Sequence, residues 1–251
     1  MIRRTSASVR QWFPDVPFFA HRGLHSVGAG LVENSLPAFE AARDRGFGME
    51  CDVRLSADNI PFVFHDRLLD RMTASSGALR DRRADELDRI MLTGDGAIPR
   101  LSALLSLIAG RVPLLIELKL DRRERLSPLC VAVRKALDGY TGPAAVMSFH
   151  PGVARWFRLH APQIARGYVV TEENDGGLRG RVKRGLAMRA AHPDFLAYDV
   201  RDLPSVFAAR VRARGVPVLS WTVRSPDDWA KVKAHADAAI FEGEPGSGHG
   251  R

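Results

Sequence analysis

The sequence predicts an α/β fold, specifically a TIM (β/α)8 barrel with a small hairpin insertion after the second strand. Apolar runs typical of strands alternate with helical patterns along the chain, which favours a parallel sheet covered by helices. The length of 251 residues and the apolar content of 45% suffice for the core of one such barrel. We therefore expect a single domain over residues 1–251.

Eight barrel strands are expected to end near Ala20, Val53, Lys119, Ser148, Val170, Val200, Val223 and Glu242. Helical patterns lie between them over residues 36–45, 101–109, 126–137, 151–160, 178–191, 203–214 and 226–236. Asn34 or Ser35 can cap the first helix, and Ser225 opens the last one just before a proline and two acids. We expect residues 1–16 to cover part of the barrel floor, where the usual closing helix is absent.

Two carboxylates stand two positions apart on the second strand. Because side chains alternate along a strand, Glu50 and Asp52 share one face. The turn-rich residues 56–59 join this strand to the apolar run 61–64, which we interpret as an extra hairpin leg and not a ninth barrel strand. If the two segments pair antiparallel about this turn, the numbers of two residues that face each other sum to about 115. His65 then lies at the same end of the structure as the two acids.

A third carboxylate ends the next strand, where Glu117 and Lys119 share one face. Three carboxylates with no cysteine or histidine in ligand spacing indicate a hard divalent cation, Mg²⁺ or Ca²⁺ with Mn²⁺ as a further candidate, rather than zinc. Arg22 and Lys119 supply positive charge for an anionic substrate. The forked guanidinium of Arg22 suits phosphate oxygens.

An ordered set of motifs resembles the glycerophosphodiester phosphodiesterase family. The motifs are Ala20-His21-Arg22-Gly23, Glu33-Asn34-Ser35, Glu50-x-Asp52-Val53, Val63-Phe64-His65-Asp66 with Leu69-Asp70-Arg71, Ile98-Pro99-x-Leu101, Ile116-Glu117-Leu118-Lys119 and Trp221-Thr222-Val223. No single motif is specific, but the order and spacing together are. The resemblance implies a catalytic barrel with its core at about residues 17–245.

The resemblance also implies a function for each group of residues. The implied metal ligands are Glu50, Asp52 and Glu117. The implied acid–base pair is His21 and His65, and the implied phosphate contacts are Arg22 and Lys119. The activity expected on this basis is metal-dependent hydrolysis of glycerophosphodiesters, small molecules of lipid and glycerol metabolism, to an alcohol and glycerol 3-phosphate. Whether water or a neighbouring hydroxyl of the substrate attacks first stays open.

Some residues carry a structural and a functional alternative. Trp221 at the end of the seventh strand can form an apolar wall against the glycerol moiety, or it can be a core aromatic between barrel and helices. Cys51 and Cys130 fall on apolar elements, so we expect buried structural thiols. His150 ends a strand near the expected active face. Asn59 replaces the usual turn glycine of the family, and asparagine also tolerates the left-handed conformation.

The net charge of +8 and the isoelectric point of about 10.2 raise the question of an anionic partner. A basic segment contains Arg179, Arg181, Lys183, Arg184 and Arg189. No nucleic-acid recognition motif accompanies it, so we expect a solvated basic face and no nucleic acid, with an anionic membrane surface as another contact. We expect no stable membrane insertion and a cytoplasmic location, since no run is long and apolar enough to span a bilayer and no export signal is recognised.

Two other functions are compatible with the same barrel. One is a phospholipase acting on a different phosphodiester, which the lack of an export signal and of an obvious apolar docking surface disfavours. The other is a non-catalytic barrel that binds phosphodiesters or membranes. The presence of all five core residues disfavours it, since a binding-only protein is free to lose one of them: His21, Glu50, Asp52, His65 and Glu117.

Overall fold

The computed structural model describes residues 17–26, 30–94, 96–121, 124–173 and 177–245. Within them the strands are β1 Phe18–His21, β2 Gly48–Leu55, β3 Pro61–Val63, β4 Leu114–Leu118, β5 Ala144–Ser148, β6 Ala165–Val170, β7 Phe195–Asp199, β8 Val218–Val223 and β9 Ala238–Phe241. The helices are α1 Leu36–Asp44, α2 Ala84–Leu87, α3 Leu101–Ile108, α4 Leu126–Ala136, α5 Pro151–His160, α6 Gly177–Ala191, α7 Val206–Ala213 and α8 Pro226–His235.

The strands and helices alternate in the order predicted for a (β/α)8 barrel. Helices separate successive strands except between β2 and β3, which form the predicted hairpin insertion. Two compact units can be distinguished, one from Ala20 to Ala144 and one formed by the described residues before and after it. The role predicted for residues 1–16 on the barrel floor lies outside the described residues.

The first unit is organised around β2. This strand pairs in parallel with β4, so that Asp52 lies opposite Glu117, and antiparallel with β3, where Val53 faces Val63. The facing residue numbers in the hairpin therefore sum to 116, and the predicted register was wrong by one residue. The turn contains Asn59 with a φ of +64°, the left-handed conformation expected for it.

Apolar side chains of the hairpin strand β3 and of the segment after it form a small core of their own. Its fully or almost fully buried members are Phe62, Phe64, Leu69, Leu79, Ala84, Leu87, Leu92 and Ile98. The segment 64–98 thus has its own packing, although the regular structure of its described residues is limited to the short helix α2, a 3₁₀ turn at Leu79–Asp81 and isolated β-bridges. Burial of these residues fixes the chain on both sides of His65.

The second unit contains the parallel strands β5 to β9, each hydrogen-bonded to the next. The predicted helices begin and end within one residue of the observed ones, except α7. The prediction placed its start at Leu203, but Val200–Asp202 form a 3₁₀ turn and α7 begins at Val206. The reason is Ser205, whose hydroxyl accepts hydrogen bonds from the backbone of Phe207 and Ala208 and so caps the helix there.

Two helix caps predicted from the sequence are present. Ser35 caps α1 and accepts a hydrogen bond from the backbone of Ala38. Ser225 and Asp228 form a capping box at the start of α8. Within the described residues, no helix has both the length and the apolar character that crossing a membrane requires.

Candidate active site

Three carboxylates meet on two neighbouring parallel strands, in the middle of β2 and near the carboxyl end of β4. Glu50 and Asp52 lie on the same face of β2, and Glu117 lies opposite Asp52 on β4. Glu50 and Asp52 are fully buried and Glu117 is 6% exposed. One oxygen from each carboxylate lies within 4.8 Å of the others. The sequence prediction that these three residues lie together is therefore matched by their positions in the structure.

Two cationic side chains lie against the acidic cluster. The Lys119 ammonium is 2.8 Å from Glu117 Oε1 and 3.1 Å from Asp52 Oδ1. The Arg22 guanidinium is 3.1 Å from Asp52 Oδ2, while its backbone N–H donates to Glu50 Oε2 at 3.1 Å. Three carboxylates facing two cations leave an excess of negative charge in a buried place.

The acids differ in how easily they ionise. Burial, with repulsion from Asp52 and Glu117, raises the pKa of Glu50 well above its ordinary value. Burial also raises the pKa of Glu117, although Lys119 partly offsets this. For Asp52 burial acts in the same direction, but Lys119 and Arg22 outweigh it and hold the pKa below the ordinary range. Asp52 is thus the fixed negative charge of the cluster.

The cluster has the donors that a hard cation requires. Glu50 Oε1 is buried and has no hydrogen-bond partner among the described residues. Buried polar atoms are rarely left unpaired, because their desolvation is costly. Carboxylate oxygens are the ligands that Mg²⁺, Mn²⁺ and Ca²⁺ prefer. The residues present therefore fit a divalent cation, which would also balance the excess negative charge.

Asn34 fixes the position of Asp52. Its side-chain amide donates to Asp52 Oδ2 at 2.9 Å, and its carbonyl oxygen accepts from the backbone N–H of Asp52 at 3.3 Å. Asn34 is 2% exposed and has a φ of +57°, a conformation that asparagine adopts more readily than most residues. From the sequence alone, Asn34 is part of a motif and a candidate helix cap, and its contact with Asp52 is not predicted.

The two histidines lie in different surroundings. His21, at the end of β1, is 8% exposed, and its Nε2 is 3.8 Å from Glu50 Oε2. His65 follows β3, and its Nδ1 is 2.6 Å from Asp66 Oδ1. Burial, aided by Lys119 and Arg22, lowers the pKa of His65 despite the opposing charge of Asp52. Neutral His65 is consequently favoured near neutral pH.

Asp66 determines which nitrogen of His65 is available. Burial raises the pKa of Asp66, but hydrogen bonds from Arg71 and His65 outweigh it, so the pKa is lowered and the group is ionised. An ionised carboxylate can only accept hydrogen bonds. His65 therefore donates its Nδ1–H to Asp66, which leaves Nε2 for proton transfer.

A chain of ion pairs connects His65 to Asp52. Asp66 Oδ2 is 2.5 Å from Arg71 Nε, and the two other nitrogens of Arg71 contact Glu33. Glu33 in turn accepts a hydrogen bond from Arg22 at 2.9 Å. Glu33, Asp66 and Arg71 lie within the sequence motifs, but the motifs alone predict no role for them.

Trp221 lies in the second unit, on β8. It is partly exposed, and its indole N–H donates to Ala197 O at 3.0 Å. The rings of Trp221 and Phe149 are nearly perpendicular, with a centroid distance of 5.5 Å. Phe149 is 43% exposed. This placement differs from a fully buried core position, and the predicted contact of Trp221 with glycerol stays a prediction.

Other sequence predictions have clear outcomes. Cys51 and Cys130 are buried free thiols, as expected. His150 has a structural role, because its Nδ1 accepts a hydrogen bond from the backbone N–H of Gly152 and caps α5.

The expectation of a wholly solvated basic segment was wrong for Arg184, which is 4% exposed and 2.8 Å from Glu172. The burial of Arg184 depends on that distant partner.

Buried carboxylates beside fixed cations and imidazoles are typical of enzymes that cleave phosphate esters with a divalent cation. The sequence model of the glycerophosphoryl diester phosphodiesterase family matches residues 21–243. The chain therefore belongs to this family and is a phosphoric diester hydrolase. The matched range includes every residue described above for the site.

Individual glycerophosphodiester phosphodiesterases are similar to this chain over about nine tenths of its length. A glycerophosphodiester phosphodiesterase of Caldanaerobacter subterraneus is 27% identical over 238 residues, covering 89% of this chain and 92% of that protein. The crystal structure of a glycerophosphodiester phosphodiesterase from Thermotoga maritima has a TM-score of 0.72 at 26% identity, covering 90% of this chain and 94% of that one.

A phosphodiesterase of Oleispira antarctica, solved in complex with its product sn-glycerol 3-phosphate, has a TM-score of 0.77 at 24% identity and covers 90% of this chain and 92% of that one. This similarity and the alternation of strands and helices confirm the predicted fold class, a (β/α)8 barrel.

Proposed function

We propose that the protein hydrolyses glycerophosphodiesters to an alcohol and glycerol 3-phosphate, with a divalent cation bound by Glu50, Asp52 and Glu117 and with His21 and His65 as the acid–base pair. The observation that carries the proposal is the convergence of three buried carboxylate oxygens within 4.8 Å of one another. Such a cluster is costly to bury without a cation. The names of the similar proteins support the substrate class.

A cation held by these carboxylates would lower the pKa of a hydroxyl and withdraw charge from a phosphate oxygen. The chain's own residues support that chemistry in two ways. Asn34 and Arg22 hold Asp52 in one orientation. Lys119 keeps Glu117 and Asp52 close to each other although both are acidic.

The histidines have surroundings that suit opposite roles in proton transfer. His65 has a lowered pKa and an available Nε2, which favours the role of general base. His21 lies near Glu50, whose carboxylate would stabilise a protonated imidazole. We therefore assign proton removal from the nucleophile to His65 and protonation of the departing alcohol to His21.

Arg22 and Lys119 bring positive charge to the place where negative charge develops on the phosphoryl oxygens. Both are held by carboxylates and do not need to reorganise during the reaction. Preorganised charge of this kind stabilises a transition state more than a mobile side chain does. The guanidinium of Arg22 can also form paired hydrogen bonds with two phosphate oxygens.

The test is release of glycerol 3-phosphate by the purified protein from glycerophosphocholine, glycerophosphoethanolamine and glycerophosphoglycerol. Each substrate is assayed with chelator and after addition of Mg²⁺, Mn²⁺ or Ca²⁺. We expect release that chelator abolishes and that at least one cation restores. His21→Ala and His65→Ala should each reduce kcat strongly.

His160→Ala is the matched control, because His160 is an exposed histidine at the end of α5. It should retain the wild-type rate. Absence of release from all three substrates with every cation would contradict the proposed substrate class. Release unaffected by His21→Ala and His65→Ala would contradict the acid–base assignment and leave the substrate class intact.

A further inference from the structure

Helix α6 exposes an apolar stripe on the side that faces away from its own core contacts. Leu178, Val182 and Leu186 follow each other at intervals of four residues and are 76%, 54% and 63% exposed. At 100° per residue these positions fall within an arc of about 80°. The buried residues of α6 lie on the opposite side: Gly180, Arg184 and Ala191.

Cations border this stripe on both sides. Arg179 and Lys183 project to one side of it and Arg181 to the other, while Arg189 continues it at the carboxyl end. The sequence of α6 contains no aspartate or glutamate. Arg179, Arg181 and Arg189 form no salt bridge with any described residue, in contrast to Arg184, which Glu172 neutralises.

The basic border continues onto the neighbouring helix α7. A groove of about 570 Å³ lies between the two helices, and its wall includes Arg181, Arg210 and Arg214. Val206, at the start of α7, also lines the groove and is 66% exposed. Exposed apolar and cationic side chains thus lie together on α6 and α7, on a surface that we call the α6 face. Two acids, Glu172 and Asp202, also line the groove, and Glu172 is paired with the buried Arg184.

We propose that the α6 face docks the protein peripherally on an anionic lipid bilayer. Exposed leucine and valine side chains on one line, with arginine and lysine beside them, offer both the apolar and the cationic contacts that a membrane surface can accept. The apolar side chains enter the acyl boundary and the cations contact lipid phosphates. This proposal stands independently of the catalytic one.

The positive charge of the α6 face favours an anionic lipid surface over a second copy of the chain, and its aliphatic side chains favour the lipid surface over a nucleic acid. A second copy bound across a two-fold axis would place α6 against α6, and cations would face cations. Nucleic acid would satisfy the cations but would leave three large aliphatic side chains in water, and the ring of Phe207 in the groove already packs against Tyr198 and Arg184. An anionic bilayer satisfies both kinds of side chain.

The experiment is co-sedimentation of the full chain with vesicles. Vesicles of phosphatidylcholine alone are compared with vesicles that also contain phosphatidylglycerol, at low and at high salt. We expect binding only to the anionic vesicles, with weaker binding at high salt. The triple variant Leu178→Ser/Val182→Ser/Leu186→Ser should bind about ten-fold more weakly, since it removes the apolar contacts and retains every charge.

Two further variants distinguish an effect of the α6 face from a general effect of losing cationic or apolar side chains. Arg179→Gln/Arg181→Gln/Arg189→Gln should also weaken binding about ten-fold. The matched control Met91→Ser/Arg89→Gln replaces an exposed apolar residue and an exposed cation outside the α6 face, and it should bind like the wild type. Thermal unfolding of each variant verifies that the fold is retained, which is expected because the replaced side chains are exposed.

Three outcomes would overturn the proposal. The first is equal sedimentation with neutral and anionic vesicles. The second is wild-type binding by the apolar triple variant, which would mean attraction by net charge alone. The third is absence of vesicle binding together with another complex that depends on the apolar stripe. That complex would be a salt-sensitive one with single-stranded RNA, or a dimer in light scattering, and the triple variant would abolish it.

Discussion

Arg71 holds Glu33 through two hydrogen bonds, from Nη1 to Oε2 at 2.9 Å and from Nη2 to Oε1 at 2.7 Å. The two residues are 38 positions apart in the chain. Glu33 also contacts Arg22, and Arg71 also contacts Asp66. The pair therefore links the proposed phosphate-binding arginine to the carboxylate that orients His65.

Arg71→Lys should lower kcat about ten-fold with little change in KM. Lysine keeps the positive charge but cannot contact Asp66 and both oxygens of Glu33 at the same time. Loss of an orienting contact around a reactive group typically costs ten- to hundred-fold. Steady-state kinetics measure this effect, with Arg82→Lys as the control because Arg82 makes only long, exposed contacts with Glu86 and Ser76 among the described residues. A rise in KM with unchanged kcat would contradict the orienting role.

Glu33→Gln should make stability less dependent on pH in the acid range. Burial raises the pKa of Glu33, but Arg71 and Arg22 outweigh it and lower the pKa below the ordinary glutamate value of 4.5. The folded state thus binds protons less readily than the unfolded state, so the stabilisation is present above pH 4.5 and is lost as the pH falls through the lower folded pKa.

Urea unfolding at a series of pH values measures this difference. At neutral pH the wild type should exceed Glu33→Gln by about 2 kcal/mol in free energy of unfolding, and the gap should close towards pH 3. Glu40→Gln is the control, since Glu40 forms only an exposed ion pair with Arg43. A gap independent of pH would contradict the ionised contact.

Asp66→Asn should reduce kcat about ten- to hundred-fold. The asparagine amide can no longer act as a purely accepting partner for His65 Nδ1, so the ring loses its fixed tautomer. Pre-steady-state and steady-state rates with a soluble substrate measure the loss. Asp44→Asn, at an exposed position of α1, should leave the rate unchanged. Wild-type activity of Asp66→Asn would show that Asp66 is not needed to orient His65.

Lys119→Met should destabilise the metal-free protein at neutral pH by about 3 kcal/mol, because it leaves Asp52 and Glu117 buried without their shared cation. The difference should shrink as the pH falls and the carboxylates take up protons. Urea unfolding in the presence of chelator measures it, and Lys135→Met on the exposed side of α4 is the control. Equal stability of both variants would contradict the ion-pair geometry.

The acidic cluster could be predicted from sequence because its geometry follows from strand periodicity. Glu50 and Asp52 share a face of β2, and parallel neighbours bring Glu117 to the same end. The hairpin was predicted from its turn, but its register was off by one residue, since turn composition alone does not fix which residues pair.

Contacts between long side chains on separate loops could not be predicted in this way. Nothing periodic relates Glu33 to Arg71, and their contact depends on how the segment after His65 packs on its own apolar core. The burial of Arg184 depends likewise on Glu172, which lies beyond the end of β6. The outward direction of Leu178 and its neighbours on α6 was also missed, because periodicity shows that a stripe exists but not which side of the helix the core covers.

Cation binding and hydrolysis measured on the same preparations test the central claim most directly. Isothermal titration of the metal-free protein with Mg²⁺, Mn²⁺ and Ca²⁺ is paired with an assay of glycerol 3-phosphate release, for the wild type and for Glu117→Gln. We expect one cation bound per wild-type chain and hydrolysis that depends on it, with both greatly weakened in Glu117→Gln. Full hydrolysis in excess chelator, or unchanged cation binding by Glu117→Gln, would contradict it.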